Sequence, residues 1–244
     1  MTRTWHSRPL VGFDLETTGT DPESDRIVSA AVVRWGGGQP TESRTWLADP
    51  GVDIPAQATA VHGITTEAAR SAGRPAPDVV EDITASLAEA ADDGLPIVVM
   101  NAAFDLTLLD REARRYGVQQ LFARSVPCVL DPRVLDKEVD RYRRGRRTLA
   151  DLCAHYVVPL DGAHCAEADA KAACAVTWKI ARRYWWLTTR YELDELHEAQ
   201  ARWARRHAES LREHYASSGE YERAAGVRLD WPFSPASSTS GGAR

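Results

Sequence analysis

Asp14 and Glu16 stand one residue apart at the end of an apolar run, within Val11-Gly12-Phe13-Asp14-Leu15-Glu16-Thr17-Thr18-Gly19. In a strand, side chains alternate between faces, so both carboxylates project from the same side. Placed together they repel, and the cheapest relief is a divalent cation, because carboxylates are hard oxygen ligands suited to magnesium or manganese. Taken alone, the D-x-E pattern is equally a pair of solvated acids leading into a turn at Gly19. Three further places offer related chemistry. Asp105 follows the apolar run Ile97-Val98-Val99-Met100 at a strand-to-helix junction, where it is either a ligand beyond the carboxyl end of a strand or an acid favoured by the helix dipole. His164 and Asp169 flank the entry to an Ala-rich helix, which brings an imidazole and an acid to one helix end. His62, just before Gly63, reads by itself as a packed or solvated loop histidine.

The elements that must position these groups follow from periodicity. Residues 27–34 are a β-rich run stopped by Gly36-Gly37-Gly38, and 41–47 alternate like its hairpin partner, so three early strands form a meander. The acids of the intervening loop, Asp21, Glu23 and Asp25, read as solvated charges. Helical pieces are expected at 57–61, 65–72 (capped by Thr65 or Thr66) and 78–91. A helix with Leu106, Leu109 and Ala113 inward runs to Tyr116 and ends at Gly117. A short strand at 125–130 ends in Asp131, read as structural. Short and long helices follow at 148–156 and from 166 towards Trp186. The basic run Arg141-Tyr142-Arg143-Arg144-Gly145-Arg146-Arg147 reads as a solvated loop, or, beside a nucleic-acid site, as a phosphate contact.

Composition sets few limits. The 244 residues suffice for one sizeable core, and 43% apolar with 27% charged residues is ordinary for a globular protein. No apolar run is long enough for a membrane span, and Met1 to Leu10 lacks the apolar centre of a signal peptide, so a cytoplasmic location is expected. The four cysteines form no C-x-x-C pair and are expected to be reduced and packed. A formal charge of -5 argues against holding nucleic acid by overall attraction, but not against a local basic patch or a metal cluster.

Read in order, these motifs resemble the DEDDh exonuclease family, which includes the proofreading epsilon subunit of bacterial DNA polymerase III, ribonuclease T and oligoribonuclease. The resemblance covers roughly Pro9 to Ala181. It rests on Phe13-Asp14-Leu15-Glu16-Thr17-Thr18-Gly19, on Asn101-Ala102-Ala103-Phe104-Asp105, and on His164-Cys165-Ala166-Glu167-Ala168-Asp169-Ala170, with His62-Gly63-Ile64-Thr65 matching an element of the polymerase-associated branch. It implies an α/β ribonuclease H-like fold, a mixed five-stranded sheet flanked by helices. It also implies Asp14, Glu16, Asp105 and Asp169 as ligands for two Mg2+ or Mn2+ ions, His164 as general base, and Leu15, Thr17, Thr18, His62 and Phe104 around the terminal nucleotide. The implied activity is 3'-5' exonucleolytic release of nucleoside 5'-monophosphates from single-stranded nucleic-acid 3' ends, with DNA proofreading or repair placed ahead of RNA end-trimming and a polymerase or replication assembly as a partner. A non-catalytic module that uses its acids only to hold an ion is the alternative class, disfavoured by the complete acid set with His164.

The expected organisation is a catalytic domain over 8–186, a C-terminal helical extension over 187–225 and a disordered tail over 226–244. The extension carries an aromatic cluster (Trp178, Tyr184, Trp185 and Trp186 at its approach) and an amphipathic helix with Leu196, Trp203 and Leu211. It is expected to pack back onto the catalytic domain, with Glu198 and Arg202 forming an i,i+4 pair.

Overall fold

The computed structural model describes residues 4–236. Three strands open the chain: β1 (Pro9–Thr17), β2 (Ile27–Gly36) and β3 (Glu42–Asp49). Short helices α1 (Ala56–His62) and α2 (Thr66–Ala72), strand β4 (Arg74–Pro75) and helix α3 (Ala76–Asp92) follow. Next come β5 (Ile97–Val99), α4 (Ala102–Tyr116), α5 (Leu121–Arg124), β6 (Val129–Leu130) and α6 (Pro132–Val139). The chain continues through α7 (Leu149–Tyr156), α8 (Ala166–Arg183), α9 (Trp186–Thr189), α10 (Leu193–Ser217) and α11 (Tyr221–Ala225).

Among the described residues the sheet has six strands in the order β4-β3-β2-β1-β5-β6. Its first three strands are antiparallel, and β5 and β6 run parallel to β1. The expected five strands gain a sixth, the two-residue β4, which pairs with Ala48 and Asp49 at the edge. Nothing in the local pattern of Arg74-Pro75 marks it as a strand, because its extended form is imposed by the neighbouring edge. Residues 42–45 of β3 are exposed on both faces, so the alternation read there reflects a strand end without a covering layer.

Alternation along β1 divides the core. Val11, Phe13 and Leu15 face α3 and α4, together with Val79, Ile83, Leu87, Leu106 and Leu109. Leu10 joins the opposite layer, which α6, α7, α8 and α10 supply through Leu135, Leu152, Val176, Ile180 and Leu196. Gly12, Asp14 and Glu16 therefore lie on the α8 side of the sheet, as period-two geometry requires.

The extension packs against the sheet. On α10, Leu196, Ala199 and Trp203 are buried, whereas Leu211 is 41% exposed. The edge strand β6 would otherwise present unpaired backbone groups, and α10 supplies their partners. The Val129 N–H donates to Nδ1 of His197 at 3.0 Å, Gln200 Nε2 donates to the Val129 carbonyl at 3.0 Å, and the Asp131 N–H donates to Gln200 Oε1 at 2.8 Å. Glu198 and Arg202 do pair, at 3.8 Å on an exposed face, where such contacts contribute little.

The expected tail requires correction over 226–236. This segment returns to α4 and α5: Phe233 stacks on Phe122 with ring centroids 4.2 Å apart, the Ser234 N–H donates to Thr107 Oγ1 at 2.9 Å, and Trp231 packs into both core layers. Two large aromatics within an otherwise small and polar stretch supply enough apolar surface to order it. Residues 237–244, also assigned to the tail, lie outside the described residues.

The basic run also differs from expectation. Arg143 and Arg147 turn inward to Asp136, at 3.0 and 2.6 Å, and the Asp136 carboxylate also accepts from the Tyr156 hydroxyl at 2.8 Å. A fully buried carboxylate requires such partners. Arg141, Arg144 and Arg146 remain exposed.

Candidate active site

The site begins with a missing side chain. A Cβ on Gly12 would run into the backbone carbonyl of Ala170 and sit 2.9 Å from Cys174 Sγ, so only glycine lets α8 lie this close to β1. That approach sets the distance between Asp169 and the acids two and four residues beyond Gly12. Gly12 was not among the sequence candidates, although a glycine inside an apolar strand is the signal that would have marked it. Gly12→Ala is expected to lower stability by about 1–3 kcal/mol through overpacking, read as a lower denaturation midpoint. It is also expected to reduce turnover by displacing Asp169.

Asp14, Glu16 and Asp169 each offer an oxygen such that all three atoms lie within 4.8 Å of one another. Asp105 reaches the same strand from the first turn of α4, where its Oδ1 accepts the Leu15 N–H at 3.2 Å. It lies outside the tight trio but adjoins it. The start of α4 is fixed by Asp131, whose carboxylate accepts the N–H groups of Asn101, Ala102 and Arg133 at 3.2, 3.0 and 2.9 Å. Asp131 thus caps α6 and holds α4 with one side chain. The structural role expected of Asp131 holds, through partners on α4 that lie about thirty residues away in sequence.

The electrostatics are those of crowded acids. Burial, followed by the carboxyls of Asp105, Asp169 and Glu16, pushes Asp14 well above the usual carboxylate range. Burial and Asp169 push Glu16 up to about 7. Asp105 and Asp169 are raised chiefly by burial. Among the described residues no Lys or Arg forms an ion pair with any of the four, and the buried Asp169 Oδ1 has no hydrogen-bond donor. Four oxygen ligands with an orphaned lone-pair site and no protein counter-charge fit a hard divalent cation.

His164 lies in the exposed loop just before α8, with φ 65°. Its N–H donates to Asp169 Oδ2 at 3.3 Å, which ties the histidine's backbone to the acid five residues on. His62 ends α1, with Gly63 in the left-handed conformation after it (φ 76°). Its Nδ1 accepts the Ile64 N–H at 3.1 Å, and its Nε2 is buried without a partner among the described residues. The Thr17 backbone adjoins the ring, and burial lowers the His62 pKa. The fold therefore brings His62 to the end of β1.

The remaining sequence candidates are placed less uniformly. The Leu15 side chain is buried in the core, leaving its backbone as the part that meets the site. The Thr17 hydroxyl donates to the Gly19 carbonyl at 2.6 Å. The Thr18 hydroxyl donates to Asp25 at 2.7 Å and accepts the Arg26 N–H at 3.0 Å. Both hydroxyls stabilise the turn after β1, and Asp25 is one of its fasteners instead of a solvated charge. Phe104 is half-buried and lines a cleft of about 940 Å³ together with Thr20, Ala103 and Asp131.

Acids delivered from β1, α4 and α8, with a histidine before α8, all fall within the stretch that the exonuclease family RNase T matches, residues 11–177. The chain belongs to the RNase T exonuclease family. This bears out the resemblance to DEDDh exonucleases, and the trio of Asp14, Glu16 and Asp169 could hold a metal ion of the kind such a family uses. Among relatives of this exonuclease domain, DNA polymerase III subunit epsilon of Aquifex aeolicus is 25% identical over 176 residues, covering 72% of this chain and 82% of that protein. A DNA polymerase III PolC-type from Oceanobacillus iheyensis is 27% identical over 181 residues, covering 74% of this chain but 12% of that protein. A DNA polymerase III subunit epsilon-like protein from Rhodobacter capsulatus is 39% identical over 111 residues, 44% of this chain and 15% of that protein. In fold the chain is similar to E. coli Exonuclease I in complex with a dT13 oligonucleotide, with TM-score 0.60, 19% identity, and coverage of 73% of this chain and 43% of that one. The chain thus spans a small part of the polymerase-sized relatives and under half of Exonuclease I. No helix among the described residues is long and apolar enough to cross a membrane.

Proposed function

We propose that this exonuclease domain hydrolyses the terminal phosphodiester at the 3' end of single-stranded DNA, releasing nucleoside 5'-monophosphates. The observation that carries the reading is the convergence of Asp14, Glu16 and Asp169 within one ligand-sized space, with Asp105 anchored to the same strand. In this reading the four acids hold two Mg2+ or Mn2+ ions. Bound there, such a pair supplies charge stabilisation to the attacking and leaving oxygens of an in-line displacement.

The chain's own groups carry the rest. His164 takes a proton from the attacking water as the new bond to phosphorus forms and the bond from phosphorus to the 3'-oxygen breaks. An imidazole suits this, because its ordinary titration range lies near neutral pH. The half-buried ring of Phe104 supports the terminal base by sequence-tolerant stacking. His62 and the backbone of residues 15–18 lie where the sugar of that nucleotide would rest. Residues 8–186 make the catalytic unit and 187–225 its extension. DNA is favoured over RNA, and a polymerase-associated setting over an isolated one, by the His62-Gly63 element and by the polymerase III names of the relatives.

The reading is tested by incubating 5'-labelled single-stranded DNA and RNA oligonucleotides with the protein and Mg2+ or Mn2+. Stepwise shortening of DNA from its 3' end is expected, faster than that of RNA and absent with EDTA. A wild-type protein that shortens neither would overturn the activity, and one that shortens RNA alone would overturn the substrate preference.

A further inference from the structure

The cleft that Phe104 lines extends well past the terminal-nucleotide position, and its far wall is built by the extension. One side carries Asn101 and Phe104 from the start of α4, with Arg133, Lys137 and Arg141 from α6 and the loop after it. The other side is α10 beyond Trp203, together with the returning segment 226–231. This returning wall is fastened to the catalytic domain. Arg228 pairs with Glu23 at 3.1 Å, and Glu23 pairs with Arg111 of α4 at 2.6 Å. The loop after β1 and the C-terminal segment therefore form one rim, and Glu23 is a clasp where a solvated charge was expected.

The charge of this cleft opposes that of the chain. Among the described residues its walls hold six Lys and Arg but only two Asp, one of them the buried Asp131, in a protein of formal charge -5. Three of the cations have no acid within ion-pairing distance among the described residues: Arg133, whose guanidinium donates to the Asn101 amide oxygen at 2.7 Å, Lys137, and Arg141, which faces only the Tyr142 ring. They converge closely enough that Arg147 and Arg141, after burial, lower the Lys137 pKa against the weaker opposing pull of Asp136. Assembling like charges in a cleft is costly unless an anion enters it. The cleft starts at Ala103 and Phe104, on the helix that carries Asp105, and at Thr20 in the loop after the strand that carries Asp14 and Glu16. An extended polyanion with one end at the acids meets these conditions.

We propose that this cleft is the track for the single-stranded DNA lying 5' of the scissile bond, with Arg133, Lys137 and Arg141 contacting successive phosphates and the extension forming the wall that keeps the strand in place. The proposal rests on the exonuclease reading for the direction of the strand, but its test does not require cleavage. Anisotropy of a 5'-fluorescein-labelled dT15 is measured against salt concentration in EDTA. Single-strand contacts contribute about 0.7 each to the salt slope, so the triple variant R133Q/K137Q/R141Q is expected to lower that slope by about 2 and affinity roughly a hundredfold at 0.1 M salt. A control of equal charge change on exposed arginines outside the cleft, R190Q/R205Q/R212Q, is expected to bind like wild type. If the triple variant melts early, Arg141→Gln alone, with the smallest set of contacts, should lower the slope by about 0.7. Wild-type slope and affinity in the cleft variants, or an equal loss in the control, would overturn the track. Weakened binding by a protein that shortens no oligonucleotide would sink the exonuclease reading and leave the track standing. Normal 3' shortening with unaltered binding would do the reverse.

Discussion

Asp14→Asn is expected to give a protein that melts at a higher temperature than wild type in EDTA and yet has lost more than about 10³-fold in turnover, beyond the usual cost of removing one electrostatic stabiliser. Both effects have one cause. Asp14 faces the carboxyls of Asp105, Asp169 and Glu16, and all four are raised above their ordinary range. A carboxyl with a raised folded-state pKa releases its proton from the unfolded chain first. Stability is then fully present below the unfolded value, near 4.5 for Glu16, and is lost as pH climbs through the folded value of about 7. Without metal, the wild-type melting temperature should therefore fall across that window. An isosteric amide at position 14 removes one charge from the set and should flatten the fall, with about 2–4 °C gained for each kcal/mol of repulsion relieved. Mn2+ at pH 7.5 should raise the melting temperature of wild type but not of the variant. A variant that melts lower than wild type in EDTA at pH 7.5 would contradict the crowding argument, and one that keeps its turnover would remove Asp14 from the machinery.

His164→Asn separates the base from the ligands. Turnover is expected to drop by about two to four orders of magnitude, the range for a lost general acid-base group, while Mn2+ affinity stays close to wild type. Asparagine is the informative replacement because residue 164 has a left-handed backbone (φ 65°), which Asn adopts more readily than Ala. The N–H to Asp169 Oδ2 bond then survives, and only the imidazole is lost. Calorimetric Mn2+ titration is the check. An affinity loss as large as that of Asp14→Asn would mean that residue 164 acts through the acids, and an unchanged kcat would mean that another group takes the proton.

What was legible in the chain was whatever local spacing encodes. The shared face of Asp14 and Glu16, the cap by Thr65, whose Oγ1 accepts the Ala68 N–H at 3.1 Å, and the helix entry at Asp105 all follow from periods and end signals within a few residues. The convergence of the acids came from motif order, since no local rule places Asp169 beside a strand 155 positions earlier. What stayed hidden depends on partners remote in sequence. Asp136 gave no sign that it would draw Arg143 and Arg147 inward, because a buried carboxylate shows only when its burial is known. Phe233, Ser234 and Trp231 order the stretch around them only because Phe122, Thr107 and the buried Asp131, far earlier in the chain, receive them. Gln200 and His197 are polar positions on an amphipathic helix, and what they do depends on β6 lying at the edge of the sheet.

That last arrangement bears on how the protein behaves as a population of molecules. By engaging the Val129 and Asp131 backbone with two side chains, α10 denies neighbouring copies a bare strand on which to add their own. A version ending at residue 186 would keep its acids but uncover that template, and is expected to self-associate more readily than the full chain.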